Sequence, residues 1–279
     1  MKINLSNIKK AKKVLDRNDC VAIPTETVYG LAANAYSNSA IKKIYHLKKR
    51  PKYNPLIVHY YSIEDLEKDC IINDVFLKLY KKFSPGPITY ILKLKKNSRI
   101  SRLVTNNSTT LAVRFPKHKI TKYLLKVLNY PLAAPSANIS GKISAVSSKD
   151  ILEDFGKKVK FILEGGKSSI GLESTIISLI KKPKILRLGG LDTSIINKVL
   201  NQNLKFNLSP SKVSTSGQMR LHYSPGLPLR LNIKKPYKDE AYIVLKKPKI
   251  LKENFFYLSK SGNLKIAAKN LYSLLRKIK

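Results

Sequence analysis

Three groups of small hydroxyl and amide side chains stand where short apolar runs end or loops begin: Thr25-Glu26-Thr27, Ser136 to Ser144, and Glu173-Ser174-Thr175. Four separated basic residues, Lys48, Arg50, Arg114 and Arg187, lie between or beyond them. Hydroxyls and backbone N–H groups bind phosphate oxygens, and a guanidinium fork matches a phosphate or a carboxylate. No Ser-His-Asp order and no carboxylate pair stands at a convincing spacing. Such a site works by holding charged reactants together and offsetting their charge, without a covalent nucleophile. Read from residues alone, that combination points to a nucleotide-using transferase. Each group also has a plainer reading. Thr25 to Tyr29 would serve as a polar strand-to-helix turn, His59 as a structural histidine, Lys48 as a solvated lysine and Arg187 as a surface arginine.

The elements that must position these residues follow from periodicity. Cys20 to Ile23 reads as a buried strand that stops at Pro24, which has no N–H for a mid-strand ladder. Residues 6–18 form an amphipathic helix with Ser6 as cap, and 38–49 a second with Ser39 as cap. Pro51 disfavours helical geometry at Arg50, which places the basic group at a helix end. Leu56 to Tyr60, Ile88 to Leu94, Thr110 to Phe115, Tyr130 to Ala134, Phe161 to Leu163, Ser174 to Ile180 and Lys184 to Leu188 read as strands. Helices are expected at 63–68, 73–83, 119–129, 147–155 and 193–200. The polar stretch between Leu94 and Thr110 reads as a loop. Interleaved strands and helices give an α/β class with a twisted mixed sheet flanked by helices. Neither a Gly-x-Gly-x-x-Gly nor a Walker-type sequence occurs.

Residues 203–228 lose periodicity and read as a linker, but Met219 to Pro225 carries recognition side chains. Beyond it, a strand at 241–245 and an amphipathic helix at 262–279 make a small second domain. Leu264, Ala267, Ala268, Leu271, Leu274, Leu275 and Ile278 share the apolar face of that helix.

The 279 residues are 43% hydrophobic, enough for a core, and no apolar run is long enough to span a bilayer. Cys20 and Cys70 form no metal or redox motif, and no secretory leader is visible, so the expected compartment is the cytoplasm. Lys and Arg number 54 against 17 acidic residues, a net charge of +37. The excess runs through helices, strands and loops alike, which favours drift in composition over a dedicated polyanion site. Weak binding of tRNA or double-stranded RNA is an expected consequence.

Seven motifs occur in order: Pro24-Thr-Glu-Thr-Val-Tyr-Gly30, Lys48-x-Arg50-Pro51, Asn54-Pro55-Leu56-Ile57-Val58-His59, Pro85-Gly86-Pro87-Ile88-Thr89, Val113-Arg114-Phe115-Pro116, Ala134-Pro135-Ser136-Ala137-Asn138-x-Ser140-Gly141 and Glu173-Ser174-Thr175-Ile176. Together they resemble the YrdC-like family, whose members make threonylcarbamoyl-AMP. Ser216 to Pro225 and the tail from Leu258 to Arg276 resemble the connector and second domain of the long, two-domain subtype. The resemblance implies a catalytic domain at 1–202, a linker at 203–228 serving as a lid, and a shortened C-terminal domain at 229–279. Ser216 stands where that connector often has proline.

The activity implied joins L-threonine, bicarbonate or CO2, and ATP into L-threonylcarbamoyladenylate and pyrophosphate, with Mg²⁺ carried on the ATP phosphates. A downstream tRNA threonylcarbamoyl transferase would use the product on adenosine 37 of tRNAs reading ANN codons. By resemblance, Lys48, Arg50, Ser136 and Asn138 are catalytic, and Thr27, His59, Arg114, Ala134 and Ser174 bind threonine. Arg50, Asn54, Thr110, Ser136, Ser144, Arg187 and Tyr223 bind ATP. As a pocket residue, Arg114 is expected to be replaceable by alanine with folding nearly intact. Two other readings stay open: an RNA-binding or ribosome-maturation factor on the same fold, and a carbamoyl-adenylate module of hydrogenase maturation. The latter lacks the Cys-rich segments its machinery would need.

Overall fold

The computed structural model describes residues 3–208, 223–250 and 252–278. In chain order its elements are α1 (Leu5–Asp16), β1 (Val21–Ile23), β2 (Gly30–Asn34), α2 (Asn38–Lys48), β3 (Ile57–His59), α3 (Ile63–Glu67), β4 (Cys70–Ile71), α4 (Asp74–Phe83), β5 (Ile88–Leu94), α5 (Arg102–Thr105), β6 (Thr110–Arg114), α6 (Lys119–Val127), β7 (Leu132–Ala133), α7 (Ser148–Phe155), β8 (Phe161–Ile162), β9 (Thr175–Ser178), β10 (Lys184–Arg187), α8 (Thr193–Leu200), β11 (Lys205–Phe206), β12 (Tyr242–Lys246), β13 (Phe255–Ser259) and α9 (Leu264–Ile278). One large sheet runs in the order β11-β10-β9-β5-β6-β3-β7-β2-β1-β8, with β4 beside β5; β12 and β13 form a separate parallel pair. The large sheet is mixed. β3 runs parallel to β6, and β5 parallel to β9, while β5 and β6 are antiparallel.

Successive side chains of a strand point to opposite faces, and here the alternation separates core from site. Val58, Tyr90, Leu92, Val113, Ile177 and Ile185 join the main core, which also takes Ile41 and Ile44 of α2, Phe76 and Leu79 of α4 and Ile151 of α7. Their neighbours Ile57, Ile91, Ala112, Ile176 and Leu186 form a second apolar cluster on the other face. His59, Thr89, Arg114 and Ser174 stand two residues from members of that cluster, so they continue its stripe towards the strand ends. The pairing sets His59 opposite Arg114, and Thr89 opposite Arg114 from the other side. An irregularity in β10 between Ile185 and Arg187 sets Arg187 opposite Ile176, which brings its side chain towards Ser174.

Local chemistry differs from several expectations. Asn4, not Ser6, caps α1 by accepting the Asn7 N–H, and Ser37, not Ser39, caps α2; in each case the residue with extended backbone just before the helix holds the acceptor. The segment after Pro24 does not enter a helix. It turns back as β2, antiparallel to β1, because Leu31, Ala32 and Ala33 bury a second strand. The polar stretch before β6 contains α5, one short turn that closes on left-handed Asn106. Residues 205–206, inside the stretch read as linker, extend the large sheet beside β10. A second strand, β13, pairs with β12. On α9 the buried side chains are Ala267 and Tyr272, and Leu264 is exposed. Residues 209–222, with Ser216, Met219, Arg220 and His222, lie outside the described residues, as do Leu251 and Lys279. Among the described residues, no helix is long and apolar enough to cross a membrane.

Candidate active site

A cavity opens where these strand ends meet the turns after β1 and β7. It is lined by Thr25, Thr27, Val28, Tyr29, Gly30, Arg50, Ile57, His59, Arg114, Ala134, Pro135, Ser136, Glu173, Ser174 and Arg187. Eight residues singled out from sequence, Thr27, Arg50, His59, Arg114, Ala134, Ser136, Ser174 and Arg187, are thus brought together. Gly30 sits where Ala134 crowds it: a Cβ there would lie 3.2 Å from that of Ala134. The Leu31 N–H donates to the Pro135 carbonyl, so the two turns are joined at the cavity floor.

On one side Arg114 is locked to Glu26, Nη2 to Oε1 at 2.7 Å, with both side chains buried. The Lys117 N–H donates to the other Glu26 oxygen at 2.9 Å. Burial alone would raise the Glu26 pKa, but the Arg114 charge, its hydrogen bond and the backbone donors hold it below its ordinary 4.5. Arg114 Nε is buried and meets no partner among the described residues, as is Nδ1 of His59. Burial, and then the charge of Arg114, push the His59 pKa down to about 3, so the imidazole is neutral. The hydroxyls of Thr25 and Thr27 lie 2.8 Å apart, and that of Thr25 donates to the Val28 carbonyl at 2.6 Å. This corrects the expectation for Arg114→Ala. That substitution strips a buried carboxylate of its cation, so folding suffers too.

On the other side Arg187 donates from Nε and Nη2 to the Ser174 carbonyl at 3.1 and 2.8 Å, and from Nη2 to Ser174 Oγ at 3.1 Å. Thr89 Oγ1 lies 2.7 Å from Ser174 Oγ. Arg50 donates to Asn54 Oδ1 at 2.6 Å and to the Asn54 and Pro55 carbonyls at 3.0 and 2.9 Å. Burial first, with the Arg187 charge adding, lowers the Arg50 pKa to about 10; it is still a cation at neutral pH. Two buried guanidinium groups feeling each other's charge favour an anion between them.

The remaining sequence-derived residues act from behind the cavity wall. Lys48 does not line it. Its Nζ donates to the carbonyls of Ser136, at 2.5 Å, and of Asn138, and burial, then the Arg50 charge, push its pKa well down. Asn138 Nδ2 donates to the Ile139 and Lys142 carbonyls, both at 2.8 Å. The Lys48 and Asn138 pair therefore shapes the loop that presents Ser136. Lys48→Met should loosen that loop and cost about 1–3 kcal/mol, since two buried carbonyls lose their donor; urea unfolding and proteolysis within 136–142 would check this. Asn54 orients Arg50. Ser144 donates to Glu173 Oε1. Thr110 does not line the cavity: it begins β6 while Arg114 ends it, four strand steps or roughly 13 Å away, and its hydroxyl lies 3.0 Å from that of Ser108.

Sequence reasoning passed over the two carboxylates. Glu26 and Glu173 both stand inside quoted motifs. The available signal was their rarity: acidic residues amid hydroxyls in a chain this basic. Tyr272 of α9 was also missed. Its hydroxyl donates to Glu173 Oε2 at 2.6 Å, and burial, then the Glu173 charge, raise its pKa and keep it a donor. Tyr223 stacks on Tyr272 and is within reach of Glu173 and Arg187. Among the described residues no three His, Cys, Asp or Glu side chains cluster to hold a metal.

Residues 13–189 match the Sua5/YciO/YrdC family model, described as "Telomere recombination", and residues 191–279 match one described as "Threonylcarbamoyl-AMP synthase, C-terminal domain". The chain is 41% identical over 226 residues to a Pyrococcus abyssi protein named threonylcarbamoyl-AMP synthase, covering 78% of this chain and 65% of that one. A Bacillus subtilis protein of the same name is 39% identical, with coverage of 82% and 67%. A crystal structure of P. abyssi Sua5 complexed with L-threonine superposes with a TM-score of 0.91 at 34% identity, covering all of this chain and 87% of that one. The chain thus spans about two thirds of the length of these curated relatives. It belongs to the Sua5/YrdC family, with the threonylcarbamoyl-AMP synthase type of C-terminal domain following the first.

Proposed function

We propose that the protein is a nucleotidyltransferase, an L-threonylcarbamoyladenylate synthase: L-threonine, bicarbonate or CO2, and ATP give L-threonylcarbamoyl-AMP and pyrophosphate. The observation that carries this reading is the split of the cavity into two cationic halves. In one, Arg114 is fixed by Glu26, its Nε without a partner among the described residues, beside neutral His59 and two threonine hydroxyls. In the other, Arg50 and Arg187 stand on the cavity wall with Ser136, and Arg50 feels the charge of Arg187.

The first half suits a small amino acid. The Arg114 guanidinium takes the carboxylate, Thr27 and Ser174 meet polar groups of the substrate, and Ala134 supplies backbone contacts. The second suits triphosphate, with Arg50, Arg187 and Ser136 as donors. The threonine amine adds to CO2 and loses a proton, giving a carbamate. A carbamate oxygen then bonds to the α-phosphorus as the bond to the β-phosphate oxygen breaks, and pyrophosphate leaves. Both reactants are anions, and fixed cations offset their repulsion without reorganising. The Glu26 and Glu173 carboxylates are already engaged by Arg114 and by Tyr272 and Ser144, so Mg²⁺ would enter on the ATP phosphates. The product would pass to a tRNA threonylcarbamoyl transferase that modifies adenosine 37.

The test is pyrophosphate release from ATP by the purified chain, with and without L-threonine and bicarbonate. Release that requires both is expected and should be only mildly salt-sensitive. No such release, with tRNA or ribosomal RNA binding that falls steeply with salt, would replace the synthase reading with an RNA-binding one.

A further inference from the structure

Helix α9 ends the described chain, yet its side chains reach the cavity wall. The Tyr272 hydroxyl donates to Glu173 Oε2 at 2.6 Å, and Glu173 lines the cavity. The other oxygen of that carboxylate accepts Ser144. The Tyr272 ring stacks on Tyr223, centroids 5.7 Å apart and planes 21° from parallel, and Tyr223 hydrogen-bonds Glu173 and Arg187. Three hydroxyls therefore converge on one carboxylate that stands beside an arginine of the anion site. Those donors fix the orientation of the carboxylate beside Arg187.

Further contacts seat the helix. Arg276 donates to the Ile143 carbonyl at 2.6 Å and pairs with Asp154 at 2.8 Å. Gly171, at φ 78°, lets the backbone of α9 approach: a Cβ there would stand 2.6 Å from the Lys269 carbonyl oxygen. The Gly171 N–H donates to the Thr27 carbonyl at 3.1 Å. The loop bearing Glu173 is thus held between α9 outside and the Thr25–Thr27 turn inside.

We infer that Tyr272 is a positioning residue for the phosphate half of the cavity: its hydroxyl fixes the Glu173 carboxylate and its ring fixes Tyr223. Seating of α9 then sets how Arg187 and Tyr223 are presented to a nucleotide. The inference rests on the functional reading for the identity of that nucleotide, ATP.

Tyr272→Phe keeps the ring stack and removes the hydroxyl; Tyr272→Leu removes both. In the full chain, ATP binding is measured by calorimetry, the KM for ATP and for threonine by pyrophosphate release, and thermal unfolding by fluorescence. Tyr272→Phe should weaken ATP binding about tenfold and lower the unfolding temperature by the few degrees that one lost hydrogen bond to a charged group accounts for. The threonine KM should stay near wild type. Tyr272→Leu should weaken ATP binding further. Unchanged ATP binding in Tyr272→Phe, or equal losses for both substrates that track a fall in unfolding temperature, would overturn the inference and leave a structural contact. Should the wild-type chain bind ATP but release no pyrophosphate, the synthase reading fails and the calorimetry alone still decides the role of Tyr272. A wild type that does not bind ATP overturns both.

Discussion

Arg114→Ala is expected to lose both threonine use and stability, and Arg114→Ala with Glu26→Ala is expected to regain the stability alone. The reason is the buried pair at 2.7 Å. Removing one member of such a pair leaves an uncompensated charge and costs about 3–5 kcal/mol, whereas removing both is far milder. The carboxylate-binding fork is absent from both variants, so the KM for threonine should rise by about 100-fold or more in each, the loss of a bidentate charged contact. Chemical unfolding and threonine titrations on the two variants separate the effects. Equal stability of the single and double variants would mean that Glu26 finds another cation.

The same pair sets a pH dependence. The Glu26 pKa in the fold lies below its ordinary 4.5, so its contribution to stability is complete above that value and is lost as the pH falls through the folded pKa. In Arg114→Ala the carboxyl is buried without its cation and its pKa moves up. Acidification from neutral pH should then stabilise the variant relative to wild type. Thermal unfolding between pH 4 and 7 reads the sign directly, and parallel curves would count against the pair.

The second large effect is expected at Arg50. Its guanidinium is buried, held by Asn54 and Pro55, and feels the charge of Arg187. An anion that settles between the two arginines removes that repulsion, so ATP or pyrophosphate should raise the unfolding temperature of the wild type. At a ligand concentration of about 100 Kd the gain is roughly 2.7 kcal/mol. Arg50→Ala should abolish most of that shift and raise the KM for ATP by about 100-fold, while the KM for threonine, bound at Arg114, changes little. A variant that keeps the wild-type thermal response to ATP would move the triphosphate away from Arg50.

The sequence alone determined the strands themselves, as short apolar runs, and with them the local rule that neighbouring side chains point to opposite faces; packing decided which face meets the helices. Val58 and Val113 face the helices, so His59 and Arg114 must face the other way. The sequence also supplied the ordered motifs around Thr27, Arg50, Arg114, Ser136 and Ser174, each bounded by a proline or glycine that ends an element. Tertiary structure decided which of these residues share a cavity and which stand behind it. Lys48, a charged residue in a motif, points at two carbonyls because the Ser136 to Asn138 loop closes over it. Thr110 shares a strand with Arg114 but begins it where Arg114 ends it. The partners Glu26 to Arg114, 88 residues apart, and Tyr272 to Glu173, 99 residues apart, carry no periodic signal, since such contacts depend on how strands are ordered in the sheet and where the last helix is seated. A buried charge needs its partner within hydrogen-bond reach, and only the packed chain brings that partner there.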